Sequence, residues 1–185
     1  MKTIILASAS LRRQELFHLL GYPFTVAEPT VDEPFFDHET PQETAKRLAY
    51  DKAKDIFARY PDAIVIGCDT IVAVDGRMLG KPTDALDAKR MLSMLADKSH
   101  TVVTGCCLMH RDDTVRFFSE AKVTFDQLSD REIQAYIDSE EPFGKAGGYA
   151  IQGEAAKFIK NIEGDYYAVM GLPVHKLYRT LQTLS

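Results

Sequence analysis

The chain has 185 residues, 45% of them hydrophobic and 26% charged, with a formal net charge of −5. That suits one domain with an ample core, read here as a single unit over residues 1–185. An acidic balance disfavours general nucleic-acid binding, which rests on cationic neutralisation of phosphates, so any anion site must be a local cluster of Arg and Lys. No run reaches the apolar length of a membrane span. Ile4-Ile5-Leu6-Ala7 is too short for a signal-peptide core and Arg12-Arg13 follow at once, so a cytoplasmic protein with no membrane partner is expected.

Thr3–Ala7 reads as a buried first strand. Ser8-Ala9-Ser10 is a small-residue turn, and Ser10 is suited to cap a helix over Leu11–Leu20, with Leu16, Leu19 and Leu20 apolar and Gly21 as its stop. Arg12 and Arg13 fall in the first turn, the positive end of the helix dipole. Cations there make sense if an anion binds, with free N–H groups, the Ser8 and Ser10 hydroxyls and two guanidinium groups as its cradle. The other account is that both arginines reach into water, at a cost of only about tenths of a kcal/mol.

Phe24–Ala27 is predicted as a short strand. Glu28–Glu39 is an acidic loop whose charges are mostly read as solvated; within it, Asp32-Glu33 is the pair suited to a Mg²⁺ ion on a polyphosphate. Thr40-Pro41-Gln42-Glu43 forms a capping box with Pro at the first helical position, opening a helix to about Tyr60. Its stripe includes Ala45, Leu48, Ala49, Ile56 and Phe57. Lys52 lies on the same stripe, either snorkelling to solvent or held to meet a phosphate.

The stretch Ile64–Pro82 organises the rest. Ile64-Val65-Ile66 is typical of a buried strand, and Ile71-Val72-Ala73-Val74 resumes the run after Asp69 and Thr70. A carboxylate in so apolar a strand needs a partner, a metal or a proton. Two readings stay open: Asp69 faces a cleft where other active groups gather, or it caps a neighbouring turn. Asp75-Gly76 is a hairpin signal, with Met78–Lys81 as the returning strand and Lys81 beside Pro82.

A helix over Asp84–Leu95, strands over His100–His110 and Thr114–Phe125, and a helix from the capping box Ser129–Glu132 to Asp138 follow. Phe143–Gly153 is glycine-rich without Walker or dinucleotide spacing. In it, Gln152 offers both donor and acceptor, suited to a base edge or to nearby backbone. Tyr166–Val169 is read as the last strand, and Gly171-Leu172-Pro173 opens a helix with Leu177, Leu181 and Leu184 as its stripe. Cys68, Cys106 and Cys107 lack metal-type spacing and read as buried reduced thiols. The five histidines show neither zinc-ligand spacing nor a partnered nucleophile.

Several motifs occur in order along the chain: Leu6-Ala-Ser-Ala-Ser-Leu-Arg-Arg13, Asp32-Glu33, Gly67-Cys-Asp-Thr-Ile-Val72, Gly80-Lys-Pro82, Lys145-Ala-Gly-Gly-Tyr-Ala-Ile-Gln-Gly153 and Gly171-Leu-Pro173. Together they resemble the Maf family of nucleoside triphosphate pyrophosphatases, related in fold to inosine triphosphatase-like enzymes. The resemblance implies an α/β domain with a mixed twisted β-sheet flanked by helices, and two lobes around a deep cleft. It implies metal-dependent hydrolysis, with Mg²⁺ or Mn²⁺, of a nucleoside triphosphate to monophosphate and pyrophosphate, and a house-cleaning role with a link to cell-division arrest. Asp69 then matches the family's proton acceptor, and Arg12, Thr70 and Gln152 match positions associated with base selection. The Ile-Gln-Gly ending resembles the dTTP and UTP branch. On this reading Arg12, Arg13, Lys52 and Lys81 grip the phosphates, Ser8 and Ser10 add hydrogen bonds, Lys145 joins the substrate contacts, and Glu33 with Asp69 holds the metal. A homodimer is expected from the resemblance only. Leu11, Glu140, Gly144 and Ala168 depart from the family's usual Pro, Gly, Asp and Asn. The rival expectations are a non-catalytic nucleotide-binding cell-division regulator and the same chemistry on 7-methyl-GTP.

Overall fold

The computed structural model describes residues 3–184; Met1, Lys2 and Ser185, the ends of the expected 1–185 domain, lie outside the described residues. Among the described residues the sheet has seven strands, in the order β2 (Thr25–Val26), β1 (Ile4–Ala7), β3 (Ile64–Val74), β5 (Ser99–His110), β6 (Asp113–Phe125) and β7 (Ile159–Gly164), with β4 (Arg77–Leu79) paired to β3, and it mixes parallel and antiparallel neighbours. Helices flank it, and among the described residues none is long and apolar enough to cross a membrane. The chain divides into two compact units: one holds the chain up to Thr70, Val103–Ser119 and the segment from Gly171 on, the other Ile71–Val102 and Glu120–Met170.

In the first unit, β1 (Ile4–Ala7) is buried throughout and runs parallel to β2 (Thr25–Val26) and to β3 (Ile64–Val74). Ser10 caps α1 (Leu11–His18), which buries Leu16 and Phe17. The helix stops earlier than the spacing predicts. Leu19 therefore falls on its C-cap, 63% exposed, and Phe17 takes its place in the core against Phe24.

Helix α2 (Pro41–Phe57) carries both halves of its predicted capping box. Ala45, Ala49 and Ala53 recur every fourth residue on its buried face. Opposite them, a Cβ on Gly67 of β3 would meet the Ala49 carbonyl oxygen at 2.2 Å, and one on Gly105 of β5 (Ser99–His110) would meet that of Ala45 at 2.3 Å. Small residues on both surfaces thus let helix backbone lie directly on strand backbone. That close approach brings Lys52, on the same face, down to the strand. Ile5, Ala7, Ile56, Val65 and Cys107 complete this core.

In the second unit, β3 turns through Asp75-Gly76, both with positive φ, into β4 (Arg77–Leu79). Helices α3 (Ala85–Leu95) and α4 (Asp130–Asp138) cover a core that includes Met91, Leu92, Leu95, Phe125, Tyr136, Tyr149 and Phe158. Strand β6 (Asp113–Phe125) pairs antiparallel with β7 (Ile159–Gly164). The predicted strand at Tyr166–Val169 is instead helix α5 (Tyr166–Met170). The Asp165 carboxylate accepts from the backbone N–H groups of Tyr167 at 3.0 Å and Ala168 at 3.3 Å and so nucleates a helical turn. Strand β7, with only two apolar residues at the end of the sheet order, carries too little alternation to be read from the sequence. Helix α6 (Val174–Leu184) buries Leu177 and Leu181 as expected.

Candidate active site

Lys52 is 7% exposed and Asp69 5%. The Lys52 ammonium donates to Asp69 Oδ1 and lies 2.7 Å from Glu33 Oε1. Neither the snorkelling lysine nor the turn-capping aspartate describes this arrangement. One buried ammonium serves two carboxylates. Holding Lys52 and Asp69 away from water costs several kcal/mol per ion unless partners compensate, whereas Glu33, its side chain 35% exposed, keeps part of its hydration.

Glu33 reaches Lys52 because its loop is anchored on both sides. Arg47 donates to the Pro34 carbonyl at 2.7 Å and forks onto Glu39, Nε to Oε1 at 2.7 Å and Nη2 to Oε2 at 2.8 Å. Thr30 N–H donates to Asp55 at 3.0 Å. The acidic loop is nonetheless not free of partners: Glu33 and Glu39 both meet cations on α2, Glu39 half-buried and Glu33 exposed like Asp32. The Arg47 hydrogen bond holds the Glu39 carboxyl below its ordinary range, and the same bond raises the guanidinium.

A second group surrounds the start of α1. Ser8 Oγ accepts from Ser10 N–H at 3.2 Å and from Arg13 Nη1 at 3.4 Å. Ser10 Oγ accepts from Arg13 N–H at 3.5 Å. Arg13 also donates through Nε to the Gly171 carbonyl at 2.8 Å and through Nη2 to Thr70 Oγ1 at 3.0 Å. Thr70 Oγ1 shares a hydrogen bond of 2.9 Å with Thr104, which is wholly buried. Ser8, Ser10, Arg13 and Thr70 are therefore brought together, with Arg13 bracing the loop as well as offering charge. Arg12 is half-buried in the same helical turn.

The Gly171 carbonyl and Thr104 were not anticipated. A threonine in an apolar strand reads only as a β-former, and a backbone carbonyl has no sequence signal beyond the Gly-Leu-Pro motif that contains it. Behind Asp69, the free thiols of Cys68 and Cys106 lie 3.1 Å apart. Their contact lowers Cys68, burial raises Cys106, and burial pushes Cys107 up to about 12.

Lys81, Lys145 and Gln152 belong to the second unit. Lys81 and Gln152 are exposed, whereas Lys145 donates to the Glu141 carbonyl at 2.5 Å. Among the described residues no three His, Cys, Asp or Glu side chains gather as a metal-binding set. Glu33 and Asp69 nonetheless direct carboxylate oxygens at a common cation, the ammonium. Mg²⁺ is commonly held by one or two carboxylates together with substrate phosphates, so this donor set fits such an ion.

The model for Maf-like proteins matches residues 3–184. The chain belongs to the Maf family. This Maf protein is 49% identical over 185 residues, 100% of the chain and 94% of the relative, to a dTTP/UTP pyrophosphatase of Symbiobacterium thermophilum. It is 46% identical over 182 residues, 98% of the chain and 95% of the relative, to a dTTP/UTP pyrophosphatase of Bacillus cytotoxicus. Among solved structures, a HAM1 protein from Coxiella burnetii aligns with a TM-score of 0.56 at 15% identity, covering 99% of this chain and 100% of that one, a likeness of fold.

Proposed function

We propose that this Maf protein is a nucleoside triphosphate pyrophosphatase that cleaves dTTP and UTP between the α and β phosphates, releasing monophosphate and pyrophosphate. The observation that carries the reading is the buried Lys52–Asp69 pair with the exposed Glu33 carboxylate on the same ammonium, a pairing of acid beside cation from which a pure phosphate binder gains little. The names of relatives at 49% and 46% identity support the choice of nucleotide.

On this reading Asp69 orients a water molecule and takes its proton as the oxygen attacks phosphorus. Arg12, Arg13, Lys52 and Lys81 counter the phosphate charge, and Ser8 and Ser10 add hydrogen bonds. Arg13 is already fixed by Ser8, Thr70 and Gly171, so little ordering remains to be done when substrate arrives. Arg12, Thr70 and Gln152 select the base. Glu33 and Asp69 would hold Mg²⁺ or Mn²⁺, which when bound neutralises phosphate charge and makes a bound water more acidic. The enzyme works in the cytoplasm as a homodimer, with no nucleic-acid or membrane partner.

Asp69→Asn tests the reading. Pyrophosphate release from dTTP and UTP with Mn²⁺ falls by about 10³-fold, the scale of a lost general base, while the fold is kept. Near-normal release removes Asp69 from the chemistry. Absence of release by the wild-type protein across a panel of triphosphates overturns the enzymatic reading altogether.

A further inference from the structure

We infer that Glu141, backed by Tyr136, is a positioning residue that fixes the backbone on either side of Gln152 and so sets the preference among bases. The inference rests on the proposal that Gln152 reads the base. Both oxygens of the Glu141 carboxylate are engaged. Oε1 accepts from the Tyr136 hydroxyl at 2.8 Å, and Oε2 accepts from the Glu154 backbone N–H at 3.1 Å. The Tyr136 oxygen in turn accepts from the Ala150 N–H at 3.2 Å. The restraints therefore arrive two residues before Gln152 and two residues after it.

Gly153 completes the arrangement. A Cβ there would lie 2.3 Å from Glu141 Oε1, so the carboxylate occupies the space that a side chain would need. The glycine of Ile-Gln-Gly is thus matched to the acid opposite. The Lys145 ammonium folds back onto the Glu141 carbonyl at 2.5 Å and closes the loop on its other side. Tyr136 is itself immobilised, 1% exposed and edge-on to Phe158 with ring centroids 5.5 Å apart. Tyr149 and Ile151, flanking the restrained amide, are buried, while Gln152 is exposed. A backbone held at both ends with a single polar side chain projecting from it is a rigid mount for recognition rather than a surface loop.

Steady-state pyrophosphate release from dTTP, UTP and GTP by four proteins tests this: wild type, Gln152→Ala, Glu141→Gln and the double variant. Glutamine keeps an acceptor for Tyr136 but turns an NH₂ toward the Glu154 N–H. Glu141→Gln lowers the pyrimidine-to-purine ratio of kcat/KM by about tenfold, the scale of one lost hydrogen bond, with the loss in KM rather than kcat. The double variant loses no more than Gln152→Ala alone, because the clamp acts through that side chain. A Glu141→Gln protein with a lower Tm and an unchanged base ratio overturns the inference, since a mere loop staple would behave so. If Gln152→Ala flattens the ratio and Glu141→Gln does not, the clamp fails alone. If Gln152→Ala leaves the ratio untouched, the base assignment fails and the clamp falls with it.

Discussion

One cluster in each unit buries titratable groups, and the two do so in opposite ways. In the first, Lys52 and Asp69 are removed from water as an ion pair, with Glu33 added. In the second, His100 Nε2 and the Tyr149 hydroxyl share a bond of 2.6 Å inside a ring of aromatic contacts with Phe125. There burial forces neutrality: it pushes His100 down to about 4 and raises the Tyr149 phenol. A neutral imidazole and phenol contribute packing and one hydrogen bond. Charges kept in place without water demand compensation, which a structure built only for stability would avoid by using apolar residues. The contrast fits the proposed function, in which the first cluster serves the chemistry and the second the architecture.

Lys52→Met should break this comparison most severely. Removing the ammonium leaves two carboxylates facing each other, and breaking a buried pair costs about 3–5 kcal/mol, or about 10 °C in Tm for a chain this size. A divalent cation can then take the place of the lost charge. Millimolar Mn²⁺ should raise the Tm of Lys52→Met more than that of the wild type, where the ammonium competes. Thermal melts with and without metal check this. A Tm equal to wild type, or one indifferent to metal, would mean that the two acids do not form a common cation site.

Parts of this arrangement were legible in the residues themselves. Both capping boxes, the Asp75-Gly76 turn and the helix carrying Lys52 follow from local chemistry, because the atoms that decide them lie within four residues of one another. The oddity of Asp69 in an apolar strand was visible, but its partner was not. Lys52 is 17 positions away, and only the packing of Ala49 and Ala53 on Gly67 brings it there. Arg13 is tied to Gly171 across 158 positions, a pairing no local pattern encodes. Reaction class was legible through the family motifs. One departure from them has a physical mark: Glu140 stands where the resemblance expects Gly, and its φ is +62°, the left-handed region that glycine adopts without strain. The helix at Tyr166–Met170 escaped because two tyrosines and a valine mimic a strand while a single Asp165 side chain decides the turn.

The neutral cluster gives the next largest effect, and it depends on pH. His100 titrates near 6.5 in the unfolded chain and near 4 when folded. Between those values the unfolded state binds the extra proton, so stability is whole above about pH 7 and declines as pH falls. The slope attributable to His100 approaches about 1.4 kcal/mol per pH unit in that window. His100→Gln should flatten it, read as the difference in denaturation midpoints between pH 7 and pH 5. A variant that keeps the full slope would transfer the effect to other groups and remove the evidence for enforced neutrality.

Between these extremes lies the Arg47–Glu39 pair, their side chains 23% and 14% exposed. Here Glu39 is the near partner, Asp51 lies at 3.7 Å, and water is near, so the pair should act as a modest staple. The Glu39 carboxyl is held below its ordinary value of 4.5, chiefly by the Arg47 hydrogen bond. A carboxyl with a lowered folded pKa contributes stability above its unfolded value and loses it as pH drops through the folded one. Glu39→Gln should therefore cost about 1 kcal/mol at pH 7, and the gap to wild type should close as the pH is taken below 4.5. Added Mn²⁺ should leave this variant's Tm shift unchanged, unlike that of Lys52→Met, because Glu39→Gln removes an acid and keeps the Arg47 guanidinium, with Asp51 still 3.7 Å from it. A metal response here would show that clustered acid alone, rather than two carboxylates aimed at one buried cation, is what draws the ion.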